Sequence, residues 1–337
     1  MSRFAISGLL FAALAFPSSA APIKQMPLPV GSCINIGNHL ESARPEAAMG
    51  KVLDAGDFRR IHAAGFKTVR IPVGWFFHSS KDAPHTIDPV FLARVTKVVD
   101  QALAAHLNVI LNSHNFELVH DQPEAGAPWL ADVWRQVAVH FASRPDGQLW
   151  FEIENEPHNA LKNSNLMQTL SPALAAIRAT NPNRPVIIGG EYWSGIDSLA
   201  TLELPDDGKV YPTFHYYEPF AFTHQGASWV APNIPPVGRK YGTAADQALL
   251  VTDKAKVAAY TARTGRIPFI GETGAYEANI PVPARAAYHR AVHDAFAPMG
   301  IGMCAWAYTN TFPFWDHKTK RWLPGLRGAF GLSETKK

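Results

Sequence analysis

The sequence predicts a single-domain α/β protein with a (β/α)8 TIM barrel, in which eight parallel strands alternate with helices. Short, nearly continuous apolar runs recur along the chain, which is typical of strands buried on both faces. Amphipathic stretches of helical period separate these runs. The strand candidates are residues 32–37, 68–73, 108–113, 149–155, 186–189, 210–215, 267–272 and 302–308.

The helix candidates lie between the strands, and some have recognisable starts. Asp88 followed by Pro89 is typical of a helix start, because aspartate caps the first amides and proline fits the first turn. The helical pattern after the fifth strand is short and weak, and we expect only a short helix after the eighth strand. The helix candidates are residues 54–64, 88–105, 127–143, 166–180, 196–202, 246–264, 283–297 and part of 323–332.

The length of the chain suits one barrel. Of its 337 residues, a barrel uses about 250, and loops take up most of the rest. No linker rich in proline, glycine or serine divides the sequence, so residues 22–337 are expected to form one domain. The proline-rich stretch 231–237 falls between the sixth strand and its helix and is predicted to be a long loop.

The first residues are typical of an export signal. A short basic start precedes an apolar run at 4–16, and the small residues 18–21 offer cleavage after Ala20 or Ala21. The run is too short to span a bilayer comfortably, although an uncleaved anchor is the alternative. We therefore expect residues 1–21 to be a signal peptide, and the mature protein to be soluble and either secreted or periplasmic.

The chain has two cysteines, Cys33 and Cys304. They lie on the first and last predicted strands, which become neighbours when a barrel closes. An oxidising compartment permits a disulfide between them. Buried free thiols are an equally open alternative, because cysteine packs as a small apolar residue.

Charge and motifs exclude several functions. The formal net charge is +3 without a basic run, which argues against a nucleic-acid partner. His289 and His293 are four residues apart on a predicted helix, but no glutamate follows His289 as the zinc-protease motif requires. The sequence contains neither a phosphate-binding glycine loop nor a nucleophile elbow. We expect no metal and no cofactor.

Two glutamates stand at predicted strand ends. The run 150–157 ends in Glu156 and is stopped by proline, and a second apolar run ends in Glu272. Carboxyl ends of parallel barrel strands share one rim, so these carboxylates should meet there. Two carboxylates are the minimum apparatus for cutting a glycosidic bond. Glu152 and Glu154 share the parity of Glu156, but only Glu156 lies at the strand tip.

Polar and aromatic residues end most of the other predicted strands. A polar group at the end of an apolar strand is costly unless it is used or hydrogen-bonded. Their shared rim therefore predicts a functional site. The residues are Arg70 on the second strand, His114 on the third, Asn155 on the fourth, His215 and Tyr217 on the sixth, and Trp306 on the eighth.

The chain resembles glycoside hydrolase family 5, the cellulase family, and in particular its bacterial endoglucanases. Asn155-Glu156-Pro157 and Gly271-Glu272 resemble the two catalytic segments of that family. Residues 65–72 are similar to its second-strand signature, and residues 222–229 resemble a loop of its bacterial members. The ordered set of strand-end residues strengthens the resemblance, which covers nearly the whole mature chain.

The resemblance implies roles for the two carboxylates. Glu156 would be the acid/base, and Glu272 the nucleophile of a retaining hydrolase. Arg70 and Tyr217 would hydrogen-bond the nucleophile and keep it ionised, because an opposite charge lowers a carboxyl pKa. His215 would lie near the acid/base.

The resemblance also implies how a sugar would bind. Asn155 would hold the 2-hydroxyl, His114 would line the same subsite, and Trp306 would offer a flat apolar face to a pyranose ring. Asn115 departs from the second histidine that many relatives carry at this position, which bears on the substrate. Further tryptophans that could be sugar platforms or ordinary packing are Trp75, Trp129, Trp193, Trp229 and Trp315.

The expected function is a secreted, retaining endo-β-1,4-glucanase that acts as a monomer on β-glucan without a cofactor. β-Mannan, mixed-linkage glucan and xyloglucan are alternative substrates, because loop geometry decides between them. A transglycosylase or an exo-glycosidase could use the same two carboxylates. A non-catalytic glycan-binding barrel is the alternative from another class.

Overall fold

The computed structural model describes residues 24–114 and 117–334, and it confirms the predicted barrel. Eight parallel strands form a closed barrel in chain order, in which β8 pairs with β1. The predicted signal peptide and Asn115 lie outside the described residues. The strands are β1 Ser32–Asn35, β2 Thr68–Val73, β3 Asn108–Ser113, β4 Leu149–Glu152, β5 Val186–Gly189, β6 Val210–His215, β7 Phe269–Thr273 and β8 Met303–Ala305.

Helices surround the barrel largely where the sequence predicts them, and a 3-10 helix at Ile196–Ala200 follows β5. The structure also contains two short helices, at Glu117–Asp121 and Phe220–Thr223, which the sequence pattern does not predict. None of the helices in the described part is long and apolar enough to cross a membrane. They are α1 Ala55–Ala63, α2 Pro89–Ala104, α3 Glu117–Asp121, α4 Pro123–His140, α5 Asn163–Arg178, α6 Phe220–Thr223, α7 Ala244–Thr264, α8 Val282–Phe296 and α9 Leu326–Ala329.

Local sequence explains several helix starts. The Asp88 side chain accepts hydrogen bonds from the amides of Val90 and Phe91, and Pro89 occupies the first turn of α2. At α7, the Thr243 side chain accepts from the amide of Asp246, whose carboxylate accepts in return from the Thr243 amide. This reciprocal capping satisfies amide groups that the helix itself leaves unpaired.

Strands β1, β4 and β8 end earlier than predicted, β1 at Asn35 rather than at residue 37, and β7 begins at Phe269 rather than at residue 267. The sequence predicts the fourth strand to residue 155, but β4 ends at Glu152, and the eighth ends at Ala305 rather than 308. Beyond β4 the chain bends toward β3, where the Asn155 amide donates to the Ser113 carbonyl at 2.8 Å. Glu156 then adopts a left-handed backbone with φ of 50°. The chain thus leaves the ladder before the carboxylate and aims it across the barrel.

The barrel interior has an apolar floor and a polar upper layer. Alternate residues of a strand face the same side, so Trp150 in the floor lies below Glu152, and Ile110 lies below Asn112. The floor is a buried cluster separate from the larger core between the barrel and its helices. Its members are Leu28, Val30, Cys33, Ile110, Trp150, Ile187, Phe269 and Cys304.

A disulfide closes the floor of the barrel. Cys33 and Cys304 lie opposite each other in the β1–β8 register and form a disulfide. The bond resolves the two alternatives that the sequence leaves open. It joins residues 271 positions apart at the β1–β8 pair, where the sheet closes on itself, so it restricts nearly the whole unfolded chain.

Replacing both Cys33 and Cys304 by alanine should lower the free energy of unfolding by about 3–5 kcal/mol, because the unfolded chain regains the freedom of a long loop. Denaturant titration of the oxidised wild type and the double variant measures the difference. Reductant should lower the wild-type midpoint and leave that of the variant unchanged. A wild-type midpoint that does not respond to reductant would contradict a stabilising bond.

Candidate active site

An open cleft of about 690 Å³ lies at the carboxyl ends of the strands. Five of the predicted site residues line it: His114, Glu156, Tyr217, Glu272 and Trp306. The other three, Arg70, Asn155 and His215, are buried. Arg70 bonds to Glu272, His215 bonds to Glu156, and Asn155 accepts a hydrogen bond from Arg70. The structure thus brings all eight predicted residues together, six strands contributing to one site.

Glu156 and Glu272 face each other across His215. The Nδ1 atom of His215 lies 2.7 Å from Oε1 of Glu156 and 3.7 Å from Oε2 of Glu272. One carboxylate oxygen from each glutamate and a His215 nitrogen all lie within 4.8 Å of one another. This spacing is close to that of retaining glycosidases, about 5–5.5 Å, and well below that of inverting ones, about 6.5–9.5 Å.

Glu272 is held at both carboxylate oxygens. Arg70 donates from Nη1 to Oε1 at 2.7 Å, and the Tyr217 hydroxyl donates to Oε2 at 2.8 Å. Both bonds are buried or nearly so, and bonds of this kind favour the ionised form of a carboxyl group. The side chain of Glu272 is 5% exposed, whereas that of Glu156 is 24% exposed. The two carboxylates are therefore placed unequally with respect to solvent.

Arg70 uses all five of its N–H donors. Its Nε and Nη2 atoms donate to the two oxygens of Glu152 at 2.6 and 2.8 Å. Nη1 donates to Asn35 at 3.0 Å and to Glu272, and Nη2 also donates to Oδ1 of Asn155 at 2.7 Å. The guanidinium is fully buried, so this saturated network fixes its plane and leaves no donor unpaired.

The family model of cellulase (glycosyl hydrolase family 5) matches residues 40–312. The chain belongs to this family. It is 38% identical over 209 residues to Endoglucanase H of Acetivibrio thermocellus, a match that covers 62% of this chain and 23% of that protein. Curated relatives of this kind are longer proteins, of which the chain spans about a quarter to a half.

Solved structures of family 5 enzymes share the whole fold. A hyperthermophilic endo-β-1,4-glucanase in complex with substrate superposes with a TM-score of 0.85 at 36% identity, covering 89% of this chain and 96% of its own. Cel5A of Thermotoga maritima in complex with mannotriose gives a TM-score of 0.85 at 33% identity, covering 89% and 97%. The likeness to these chains therefore extends over the full barrel.

Burial and charge set the proton affinities of the family 5 site. Burial raises the pKa of Glu272, and repulsion from Glu156 adds to this rise. Burial, the largest single cause, would also raise the pKa of Glu156, but the hydrogen bond and charge of His215, together with the charges of Arg70 and His158, outweigh burial and lower it. Burial would lower the pKa of His215, yet the charges of Glu272 and Glu156 raise it. The three groups therefore titrate as one cluster, with His215 charged.

The same three side chains are close enough to ligate a cation. Both carboxylates already accept hydrogen bonds from protein groups, Glu156 from His215 and Glu272 from Arg70 and Tyr217. A cation would have to displace the proton of His215 to use its nitrogen. The arrangement therefore favours proton transfer over metal binding.

Trp306 and His114 form one wall of the cleft. Their rings are parallel within 5°, with centroids 5.7 Å apart, and Nδ1 of His114 lies 3.0 Å from the side-chain oxygen of Asn112. The Trp306 ring also packs against the backbone of Gly37 so closely that a Cβ atom there would stand 2.7 Å from it. The indole is therefore held on both sides, and only glycine fits at residue 37.

The cleft contains residues that the sequence analysis missed. Glu41 is buried in its wall, where its carboxylate accepts hydrogen bonds from the amides of Asn38 and His39. Burial raises the pKa of Glu41 to about 7. The signal was available, because this stretch follows the first strand directly, as the predicted residues follow theirs. His224 and Ser228 of the lining belong to the loop 222–229, which the sequence analysis noted without assigning its residues to the site. Other missed residues of the lining are Asn38, Tyr276, Glu277, Ala278, Thr311 and Phe312.

The structure separates the five candidate tryptophan platforms. Trp75, Trp129 and Trp315 are buried packing residues, whereas Trp193 and Trp229 are 54% and 51% exposed. Trp229 lines the cleft. Trp193 stacks on His158, whose Nδ1 lies 2.7 Å from the Glu156 carbonyl oxygen.

Gly37→Ala should lower kcat/KM by about 10- to 100-fold, because the added methyl group must displace the Trp306 ring from its position. Gly147→Ala is a matched control, since a Cβ atom there meets no atom within 4 Å. Steady-state kinetics on a soluble glycan measure both variants. Wild-type kinetics in Gly37→Ala would show that the position of Trp306 is not critical.

Proposed function

We propose that the protein is a secreted, retaining endo-β-1,4-glucanase that works by double displacement. The observation that carries this proposal is the pair Glu156 and Glu272, whose oxygens lie within 4.8 Å of each other and of His215. A non-catalytic glycan-binding barrel would have no use for two carboxylates held in this way. The relatives named above as endoglucanases support the same activity.

Glu272 is assigned as the nucleophile. Burial and the neighbouring Glu156 raise the pKa of Glu272, whereas the pKa of Glu156 is lowered, and these shifts alone would favour a proton on Glu272. The geometry decides otherwise, because both oxygens of Glu272 accept hydrogen bonds, from Arg70 and Tyr217, and a proton on this carboxyl would compete with those donors. In the first step Glu272 attacks the anomeric carbon, a new C–O bond forms, and the bond to the leaving oxygen breaks. The charge of Arg70 and the hydroxyl of Tyr217 hold the attacking carboxylate in line.

Glu156 is assigned as the acid/base. Its side chain is 24% exposed, so a leaving group and then a water molecule can both reach it. Glu156 gives its proton to the leaving oxygen, and the hydrogen bond from His215 stabilises the carboxylate that forms. In the second step Glu156 takes a proton from water, the water oxygen attacks the anomeric carbon, and Glu272 is released.

Asn155, His114 and Trp306 are assigned to the sugar that reacts. Arg70 fixes Oδ1 of Asn155 as an acceptor, so the Nδ2 group is the one left to donate to a sugar hydroxyl. A bond to the 2-hydroxyl strengthens in the transition state. The parallel rings of His114 and Trp306 offer the pyranose ring a flat wall.

Endo action and export are supported by separate observations. The cleft is open, and the exposed indole of Trp229 lies along it, which suits a glycan chain that continues beyond the reacting sugar.

The N-terminal pattern and the disulfide together favour an oxidising compartment outside the cytoplasm. N-terminal sequencing of exported protein should find residue 21 or 22 first.

A panel of soluble polysaccharides tests the substrate, with new reducing ends as the readout. We expect the highest rate on β-1,4-glucan, and internal cleavage rather than release of single sugars. β-Mannan is the second candidate, because the structural relative Cel5A was solved with mannotriose. Binding to cellulose without any new reducing ends would favour the glycan-binding barrel, and release of single sugars alone would favour an exo-glycosidase.

Alanine at either catalytic position should lower kcat/KM for the polymer on the order of 10³-fold, and azide should distinguish the two roles. In Glu272→Ala, azide replaces the nucleophile and yields the α-glycosyl azide from an activated aryl β-glycoside. In Glu156→Ala, azide attacks the glycosyl-enzyme and yields the β-glycosyl azide. Nuclear magnetic resonance of the products reads the anomer, and the reverse pattern would exchange the assignments.

A further inference from the structure

Three carboxylates follow one another at alternate positions from β4 onward: Glu152, Glu154 and Glu156. The proposed mechanism uses only Glu156, although Glu152 and Glu154 are both buried. A buried carboxylate is strongly unfavourable unless it is paired. The partners differ, because Glu152 binds Arg70, whereas Glu154 accepts from Ser113 at 3.0 Å and lies 3.4 Å from His120.

The contact of Glu152 with Arg70 uses both oxygens. Nε and Nη2 of Arg70 donate to it side by side, which is the strongest geometry for a guanidinium and a carboxylate. The remaining Arg70 donors reach Glu272, Asn155 and Asn35. Glu152 thereby determines the orientation of the guanidinium plane toward Glu272. The positive charge of Arg70 is shared between Glu152 and Glu272.

We propose that Glu152 is a positioning residue for the hydrolysis described above: it orients Arg70 against Glu272 and offsets part of its charge, so that Glu156 and Glu272 together retain one proton. The proposal rests on the proposed function, because it concerns the same two reacting carboxylates. Glu152 itself touches neither the cleft nor a reacting atom.

The charges around Glu272 support this role. Arg70 faces it from β2, His215 and Tyr217 from β6 and its end, and Glu156 from beyond β4. Three carboxylates, counting Glu152, face the two cations Arg70 and His215, which leaves one negative charge for a proton to neutralise. His158 and His224 also face Glu156. Burial lowers the pKa of His224 to about 4, and substitutions of Glu152 alter neither histidine. His114, at the end of β3, is kept neutral because burial lowers its pKa well below the usual range.

Without the charge of Glu152, two carboxylates would balance two cations, and the cluster would no longer favour an extra proton. Both carboxyl groups would then titrate at lower pH, because uncompensated positive charge lowers a carboxyl pKa. The acidic limb of the pH profile follows ionisation of the nucleophile, and the basic limb follows loss of the acid proton. Both limbs should therefore move in the same direction.

The test is the pH profile of kcat/KM for Glu152→Gln on a soluble β-1,4-glucan. We expect both limbs to move to lower pH by about one unit. Glu154→Gln is the matched control, because it makes the same replacement at a buried carboxyl group two residues further along the chain that does not contact Arg70. Its limbs should keep their wild-type positions. Glu152→Asp retains the negative charge, but its shorter side chain cannot hold Arg70 in the same orientation. The two limbs of its pH profile should therefore keep their wild-type positions while kcat falls.

Each outcome decides the proposal. Unmoved limbs in Glu152→Gln, or equal shifts in Glu154→Gln, would overturn it. If Glu152→Gln does not fold, Glu152→Asp decides, because wild-type kcat in that variant would show that the orientation of Arg70 does not depend on Glu152. Wild-type protein without activity on any glycan would instead overturn the proposed function, which keeps the two failures distinct.

Discussion

The buried guanidinium of Arg70 is the interaction on which the upper half of the barrel depends. Through its five donors it joins Asn35 of β1, Glu152 of β4, Asn155 beyond it and Glu272 of β7. A buried charge is tolerated only when every donor has a partner. The same hydrogen bonds therefore hold barrel strands together and fix the position of the Glu272 carboxylate.

This network acts above a dry floor. Trp150, Ile110 and Phe269 fill the lower interior, and the Cys33–Cys304 disulfide joins the strands where the ring closes. Because these residues exclude water from below, the charges above them interact at a low effective dielectric and need not reorganise during reaction. The apolar floor is thus part of the electrostatics of the site as well as part of the core.

The sequence predicts what depends on local pattern. All eight strands were predicted because parallel strands leave apolar runs, and the site was predicted because their carboxyl ends meet at one rim. Contacts between distant segments were not predictable in this way. The exposure of Trp193 and the burial of Trp129 are set by loop packing, and the pairing of Glu152 with Arg70 depends on the register of β2, β3 and β4.

Two chemically identical carboxylates can take different roles because their surroundings differ. Glu272 is enclosed by fixed donors, whereas Glu156 borders solvent and has His215 as its hydrogen-bond partner. Because the carboxylates of the cluster outnumber its cations by one, the pair can hold one proton, which the proposed mechanism places on Glu156. The proposed double displacement passes one proton to the leaving group and takes one back from water, so a carboxyl pair that holds a single proton has the charge state that this mechanism needs.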